Sequence, residues 1–445
     1  MRFRGLLAAV AVLAVLGGLS YWSEKKKKAD EGKPAADAPP KILSVPEDQV
    51  KEIRVKKAGE TTVVKKSDAG KWQITEPKPL PADQDSVSSV VSALTSLSSD
   101  RLVEDKAANL AEYGLTTPAV EVVLTKKDGK TEKLLLGEET PTGGGVFAKL
   151  ENDPRVFTVA SYVKSSLDKS SQDLRDRRLL TFDSDKLTRV ELQAKGQAIE
   201  FGKNNQNEWQ ILKPGPMRAD GSQVEDLVRR LRDAKMETAI TPEDAKKAAS
   251  GFASGARVAM ANVADAGGSQ QIEVRKDKEK NYYAKSTVVE GIYKIPSDVG
   301  EGLDKGLADF RNKKLFDFGW NDPSKLEVRP ASGAATTYQK SGEKWMSGSK
   351  EMDSASIQAV IDKLRDLSAA KFVETGGGTP VLDVSVTSNN SKRVEKVSIT
   401  KQDAAYLAKR ENEPSIYEVD GKNVEELQKA INEIKASEPA KNEKK

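Results

Sequence analysis

Gly70-Lys71-Trp72-Gln73-Ile74-Thr75-Glu76-Pro77 is answered by Asn207-Glu208-Trp209-Gln210-Ile211-Leu212-Lys213-Pro214, and less closely by Gly342-Glu343-Lys344-Trp345. The tryptophans stand 137 and 136 residues apart (209 − 72 and 345 − 209). Just beyond each, Ala82-Asp83, Ala219-Asp220 and Met352-Asp353 open an apolar pattern in one register. The pattern runs Val87, Val90, Val91, Leu94, then Val224, Leu227, Val228, Leu231, then Ile357, Val360, Ile361, Leu364. Spacing of i, i+3, i+4, i+7 sets these side chains on one face of a helix.

The correspondence continues outward. Val146-Phe147-Ala148-Lys149 matches Tyr282-Tyr283-Ala284-Lys285 and Tyr406-Leu407-Ala408-Lys409. Asp173-Leu174-Arg175 with Leu179-Leu180-Thr181-Phe182 matches Asp309-Phe310-Arg311 with Leu315-Phe316-Asp317-Phe318. Independent matches at one spacing mark an internal repeat, the third copy being shorter. The reading gives repeats at 42–182, 183–319 and 320–436, an N-terminal segment 1–22, a tether 23–41 and a tail 437–445. Each repeat exceeds the size at which a chain segment can close its own core, so tandem domains are expected rather than a stacked solenoid.

Within copy one, strands are predicted over 51–57, 61–66, 71–75, 119–125, 131–137, 145–149 and 156–159 from alternation and β-branched content. Lys127-Asp128-Gly129-Lys130 reads as a hairpin turn. Helices are predicted over 83–97, capped by Asp83, and over 162–178. The expected class is α+β: an N-terminal transmembrane helix, then three repeats of antiparallel sheet with two helices packed on one face.

The N-terminal expectation rests on an uncharged run from Gly5 to Trp22, ended by Tyr21 and Trp22 and followed by Lys25 to Lys28. It is near the lower length for a bilayer span, and its aromatics fall where headgroups would lie. A signal peptide cleaved near Gly18-Leu19-Ser20 is the competing reading. Counting Arg2 and Arg4 against Lys25 to Lys28 favours a cytoplasmic bulk, whereas long domains translocate regardless of flanking charge. Residues 23–41, charged and with Pro34, Pro39 and Pro40, lack the apolar surface to fold.

Composition excludes several chemistries. The chain of 445 residues contains no cysteine and no histidine. Thiolate catalysis, disulfides, Ser-His-Asp triads and His-ligated zinc or haem are therefore ruled out. A net charge of +4 over the whole chain gives no basic domain for nucleic acid. Gly143-Gly144-Gly145 and Gly376-Gly377-Gly378 lack the lysine and hydroxyl ending of a phosphate loop, and read as loops. Asp83, Asp85, Asp220 and Asp353 read as helix-start residues, and Lys149, Lys285 and Lys409 as strand lysines with packed stems and solvated heads. Asp173 with Arg175, and Asp309 with Arg311, two residues apart on a helix, would point to different faces. Each tryptophan reads as a strand-to-helix packing anchor. No catalytic, cofactor or metal residue is assigned.

The phrases Gly70 to Pro77, Pro81-Ala82-Asp83, Tyr113-Gly114-Leu115-Thr116-Thr117-Pro118 and Asp173-Leu174-Arg175 resemble the bacterial domain-of-unknown-function family 4340. Later copies depart from it: Ser250-Gly251-Phe252 replaces Tyr113-Gly114-Leu115, and copy three keeps only the Gly376-to-Pro380 spacing. The resemblance assigns no activity. It implies an inner-membrane protein of single pass, its bulk in the periplasm, near ABC-type transporter components including those of gliding motility. The expected role is a non-catalytic scaffold or binding protein, partnered by the cytoplasmic membrane and a transporter permease or another envelope protein. A carboxylate-dependent hydrolase of envelope polymer is the alternative.

Overall fold

The computed structural model describes residues 41–237, 241–320 and 323–437. Copy one contributes β1 (Val50–Lys57), β2 (Glu60–Lys66), β3 (Trp72–Glu76), β4 (Leu80–Pro81), β5 (Arg101–Glu104), β6 (Val120–Lys126), β7 (Thr131–Glu139), β8 (Gly145–Leu150) and β9 (Val156–Ala160). They form one antiparallel sheet in the order β4-β3-β2-β1-β6-β7-β8-β9-β5. Helix α1 (Gln84–Thr95) crosses from one edge toward the other, and α2 (Ser161–Leu167) and α3 (Ser171–Leu174) close the copy. Lys126 N–H donates to Lys130 O across the β6–β7 hairpin, where Gly129 adopts φ +84°.

Copy two repeats the plan with β10 (Arg189–Ala194), β11 (Gln197–Lys203), β12 (Trp209–Lys213), β13 (Met217–Arg218), β14 (Ala256–Asp265), β15 (Gly268–Lys276), β16 (Tyr282–Ser286) and β17 (Ile292–Ile295). Its helices are α4 (Gly221–Asp233), α5 (Pro242–Ser254), α6 (Ser297–Leu303) and α7 (Leu307–Phe310). Copy three has β18 (Lys325–Pro330), β19 (Thr336–Ser341), β20 (Lys344–Ser347), β21 (Lys350–Met352), β22 (Ala369–Val373), β23 (Thr379–Ser388), β24 (Arg393–Gln402), β25 (Ala405–Arg410) and β26 (Ile416–Val419), with α8 (Ser354–Asp366) and α9 (Gly421–Asn432). The sheet orders are β13-β12-β11-β10-β14-β15-β16-β17 and β21-β20-β19-β18-β23-β24-β25-β26-β22.

The apolar stripes of α1, α4 and α8 are buried at all the positions that carry the pattern, from Val87 to Leu364. Trp72, Trp209 and Trp345 are likewise buried, each in the strand before the short edge strand that leads into the helix. Removing such area from water supplies the driving force of each two-layer body.

Four expectations need correction. The structure is mostly sheet, with three antiparallel sheets of nine, eight and nine strands, rather than the expected α+β class of sheet with two packed helices per repeat. The expected transmembrane helix and its lysines lie outside the described residues, and among the described residues no helix is long and apolar enough to cross a membrane. The longest run is 13 residues, against about 20 needed for a span. The helix expected over 162–178 is broken in two, because Ser170 and Asp173 form a reciprocal capping box that starts a second helix.

Finally, Leu179–Phe182 and Leu315–Phe318 open a copy instead of closing one. Leu179 N–H donates to Ala234 O (2.9 Å), and Leu315 N–H to Leu367 O (3.0 Å), at the exits of α4 and α8. Correspondingly, the described residues 41–177 form one compact unit, and the second unit begins at Arg178 and holds copies two and three.

Candidate functional site

The recurring aspartates are bound into their helices. Ser86 N–H donates to Asp83 Oδ1 (2.8 Å), Ser222 N–H to Asp220 Oδ1 (3.0 Å) and Ser356 N–H to Asp353 Oδ1 (2.8 Å). Their own amides are used as well. Asp83 N–H donates to Leu174 O, Asp220 N–H to Phe310 O and Asp353 N–H to Lys435 O, at 2.8, 2.7 and 2.9 Å. The start of each first helix is thus clipped to the end of the same copy. Asp173 and Asp309 accept from the amides of Ser170 and Gly306, both at 2.8 Å. Lys149 differs from the solvated-head expectation: its ammonium donates to Leu150 O (3.0 Å) and to Asp153 O. Lys285 and Lys409 are exposed. Gly143 and Gly144 lie in the β7–β8 turn while Gly145 opens β8, and Gly376-Gly377-Gly378 lies in the loop ahead of β23.

The densest ionic arrangement was not singled out from the sequence. Arg218, on the two-residue strand β13 of copy two, forms ion pairs with Asp317 and with Glu413 (2.7 Å) of copy three. It also donates to Tyr417 Oη (3.0 Å) and to Lys314 O. Tyr417 in turn donates to Glu413 Oε2 (2.6 Å). Arg410 donates to Glu413 (2.7 Å), to Glu395 (3.1 Å) and to Leu315 O. Arg393 reaches back to Glu208 of copy two (3.1 Å).

Burial works against the Arg218 charge, but Asp317, Tyr417 and Glu413 outweigh it and push its pKa up. Burial also raises the Tyr417 phenol, and its hydrogen bond to Glu413 adds to that while Arg218 opposes it. Beside the cluster lies a cavity of about 300 Å³, lined by Glu208, Trp209, Arg218, Asn312, Asp317 and Arg393 among others. A wider groove of about 700 Å³ lies on the open face of the third sheet, with Lys325, Glu327, Arg329, Asp383, Lys396 and Lys409 along it.

Chemically, this cluster is compensated. Arg218, Arg410 and Arg393 face Asp317, Glu413 and Glu395, and each carboxylate accepts from a guanidinium or an amide. A carboxylate so engaged is a poor general base, since proton transfer needs a free acceptor in reach of substrate. Among the described residues no group of three or more acidic side chains is arranged to hold a metal ion. The sequence did carry a signal for the cluster, in the form of departures between copies. Arg218 stands where copy one has Pro81 and copy three has Glu351. Arg410 stands where the other copies have Leu150 and Ser286, directly after the recurring lysine.

No curated protein matches the chain, and no solved structure matches it. One family model does, described as "Domain of unknown function (DUF4340)", over residues 72–250 and again over 209–388. Both matches begin on a repeat tryptophan, one repeat apart, so the family pattern recurs in the register read from the sequence. Together they run from 72 to 388, which is 317 of 445 residues, and the chain belongs to this family of domains of unknown function.

Proposed function

We propose that the chain is a non-catalytic scaffold or binding component of a bacterial cell envelope, with its repeats on the periplasmic side beside an ABC-type transporter or a gliding-type assembly. The observation that carries this reading is where the recurring polar groups direct their hydrogen bonds. Asp83, Asp220, Asp353, Asp173 and Asp309 all accept from backbone amides of their own copy, and Lys149 donates to backbone carbonyls. Residues repeated for structure in this way favour a protein that presents surfaces over one that turns over substrate. The absence of histidine from the sequence points the same way.

The test is crosslinking in native membranes, with identification of the captured proteins, beside a screen for hydrolysis of envelope glycans and peptides with and without divalent metal. Recovery of a transporter or motility component with no turnover is the expected result. Turnover that disappears on substitution of a carboxylate would sink the proposal in favour of a hydrolase.

A further inference from the structure

We propose that the arginine cluster between copies two and three is a latch: the two copies form one body while it is closed and move as separate domains once it opens. The apolar core of copy three closes on itself, drawing its buried members from Leu315 to Leu427 and none from copy two. What crosses between the copies is chiefly arginine chemistry, beside the Asn312 amide, which donates to Asp317 (3.0 Å) along the connecting segment. Arg218 of copy two enters copy three at Asp317, Glu413 and Tyr417. Arg311 of copy two donates to Ser415 Oγ (2.9 Å) and stacks 3.4 Å over the Phe372 ring. Arg393 of copy three pairs with Glu208 of copy two.

A junction built this way opens without parting one shared apolar core: it uncovers the Tyr417 and Phe372 rings that the arginines cap, and its charges regain water. Polar interfaces between domains of one chain permit relative motion by default. Ion pairs within them fix geometry more than they add stability, since desolvation offsets much of the attraction. Arg218 is the central member, because it is the most enclosed of the three and binds three side chains at once. Glu413 extends its reach, holding Arg218 with one carboxylate oxygen that Arg410 also uses. The latch is therefore anchored in the group that fastens the opening segment of copy three.

The chain has no cysteine, so introduced pairs can be spin-labelled cleanly. Asn205→Cys with Ala359→Cys reports the distance between copies, and Asn205→Cys with Ser269→Cys reports copy two alone; all three positions are exposed. In the full chain both pairs should give a narrow distance distribution. With Arg218→Met the inter-copy peak should broaden and shift while the pair within copy two stays narrow. An inter-copy distribution that remains narrow overturns the latch. Should Arg218→Met disturb copy two itself, Asp317→Asn combined with Glu413→Gln removes the same attraction from the other side. That variant must then show the broadening for the proposal to stand.

Discussion

In copy two the opening segment Leu179–Phe182 is held by a neutral pair, and in copy three Leu315–Phe318 is held by an ionic one. Gln270 accepts from Thr181 N–H (2.8 Å), and the Ser286 hydroxyl donates to Leu179 O. Glu395 accepts from Asp317 N–H (2.8 Å), and Arg410 donates to Leu315 O. Ile272 faces Ser286 across its sheet as Val397 faces Arg410, so the positions are equivalent. The neutral pair ends there. The ionic pair has capacity left over: Arg410 reaches on to Glu413, which reaches Arg218, whereas copy two has Val289 at the position of Glu413. Exchanging two neutral side chains for a charged pair at the same positions thus turned a local fastening into the root of a contact with the neighbouring copy.

The largest expected effect tests that difference directly. Arg410→Ala leaves the side chain of Glu395, only 3% exposed, without its buried cation, and should cost about 3–5 kcal/mol. Ser286→Ala removes a hydrogen bond to the Leu179 carbonyl and one from the Val288 amide, and should cost about 1–3 kcal/mol. Urea unfolding of the full chain, comparing transition midpoints, gives both. Equal costs would mean that the charge adds nothing at this position.

Next comes a pH effect confined to copy two. Asp226 on α4 accepts from Arg230 (2.9 Å), from Arg229 and from Lys305 (3.3 Å), while Ser89 and Ala359 occupy its place in the other copies. The hydrogen bond from Arg230 leads in holding its carboxyl far below the ordinary range, against the opposing effect of burial. A depressed folded value means that the stabilisation is fully present above the unfolded aspartate value of about 4. It is lost as pH falls from there through the folded value. Asp226→Asn should therefore be less stable than the native chain at neutral pH, and the gap should close as pH falls below 4. Thermal melts at stepped pH measure this. A gap that widens on acidification contradicts the assignment.

These comparisons also mark how far the sequence could be read. The stripes ending in Leu94, Leu231 and Leu364, the capping aspartates and the buried tryptophans were legible because helical spacing and cap chemistry are local. Strand limits in copy one fell within a residue or two for the same reason. Edge strands such as Leu80–Pro81 and Met217–Arg218 were not legible, since two residues carry no alternation to detect. Helix α5 is hidden because Ser250-Gly251-Phe252 stands in the register of the Tyr113 loop, although Thr241 and Asp244 form a capping box ahead of it. The arginine cluster joins residues as far apart as 218 and 417, and no periodicity connects them. Only the mismatch between copies pointed there.

A smaller effect asks whether copies two and three are alike where the chemistry is shared. Asp220→Ala and Asp353→Ala each remove a helix cap and should each cost about 0.5–2 kcal/mol. Asp220 lies two residues from Arg218, and Asp353 two from Glu351, which is outside the cluster. A clearly larger cost at Asp220 would mean that the latch and the start of α4 are mechanically coupled; equal costs keep them separate.

The smallest effect separates the three recurring lysines, which sequence alone makes equivalent. Lys149 spans the turn after β8 and binds two carbonyls, so Lys149→Ala strands acceptors that a neighbouring water must then satisfy. The cost should be about 0.5–1.5 kcal/mol. Lys285 and Lys409 occupy the same strand position but are exposed, and their replacement by alanine should stay within about 0.5 kcal/mol. Melting temperatures of the three variants rank them. If Lys409→Ala costs as much as Lys149→Ala, the strand position itself, through the packing of the stem, is what the repeat preserves. If instead Lys409→Ala leaves the melting temperature unchanged and abolishes function in cells, the lysine acts outward into the groove of the third sheet. That result would give one of three copies a binding role that the other two keep only as surface.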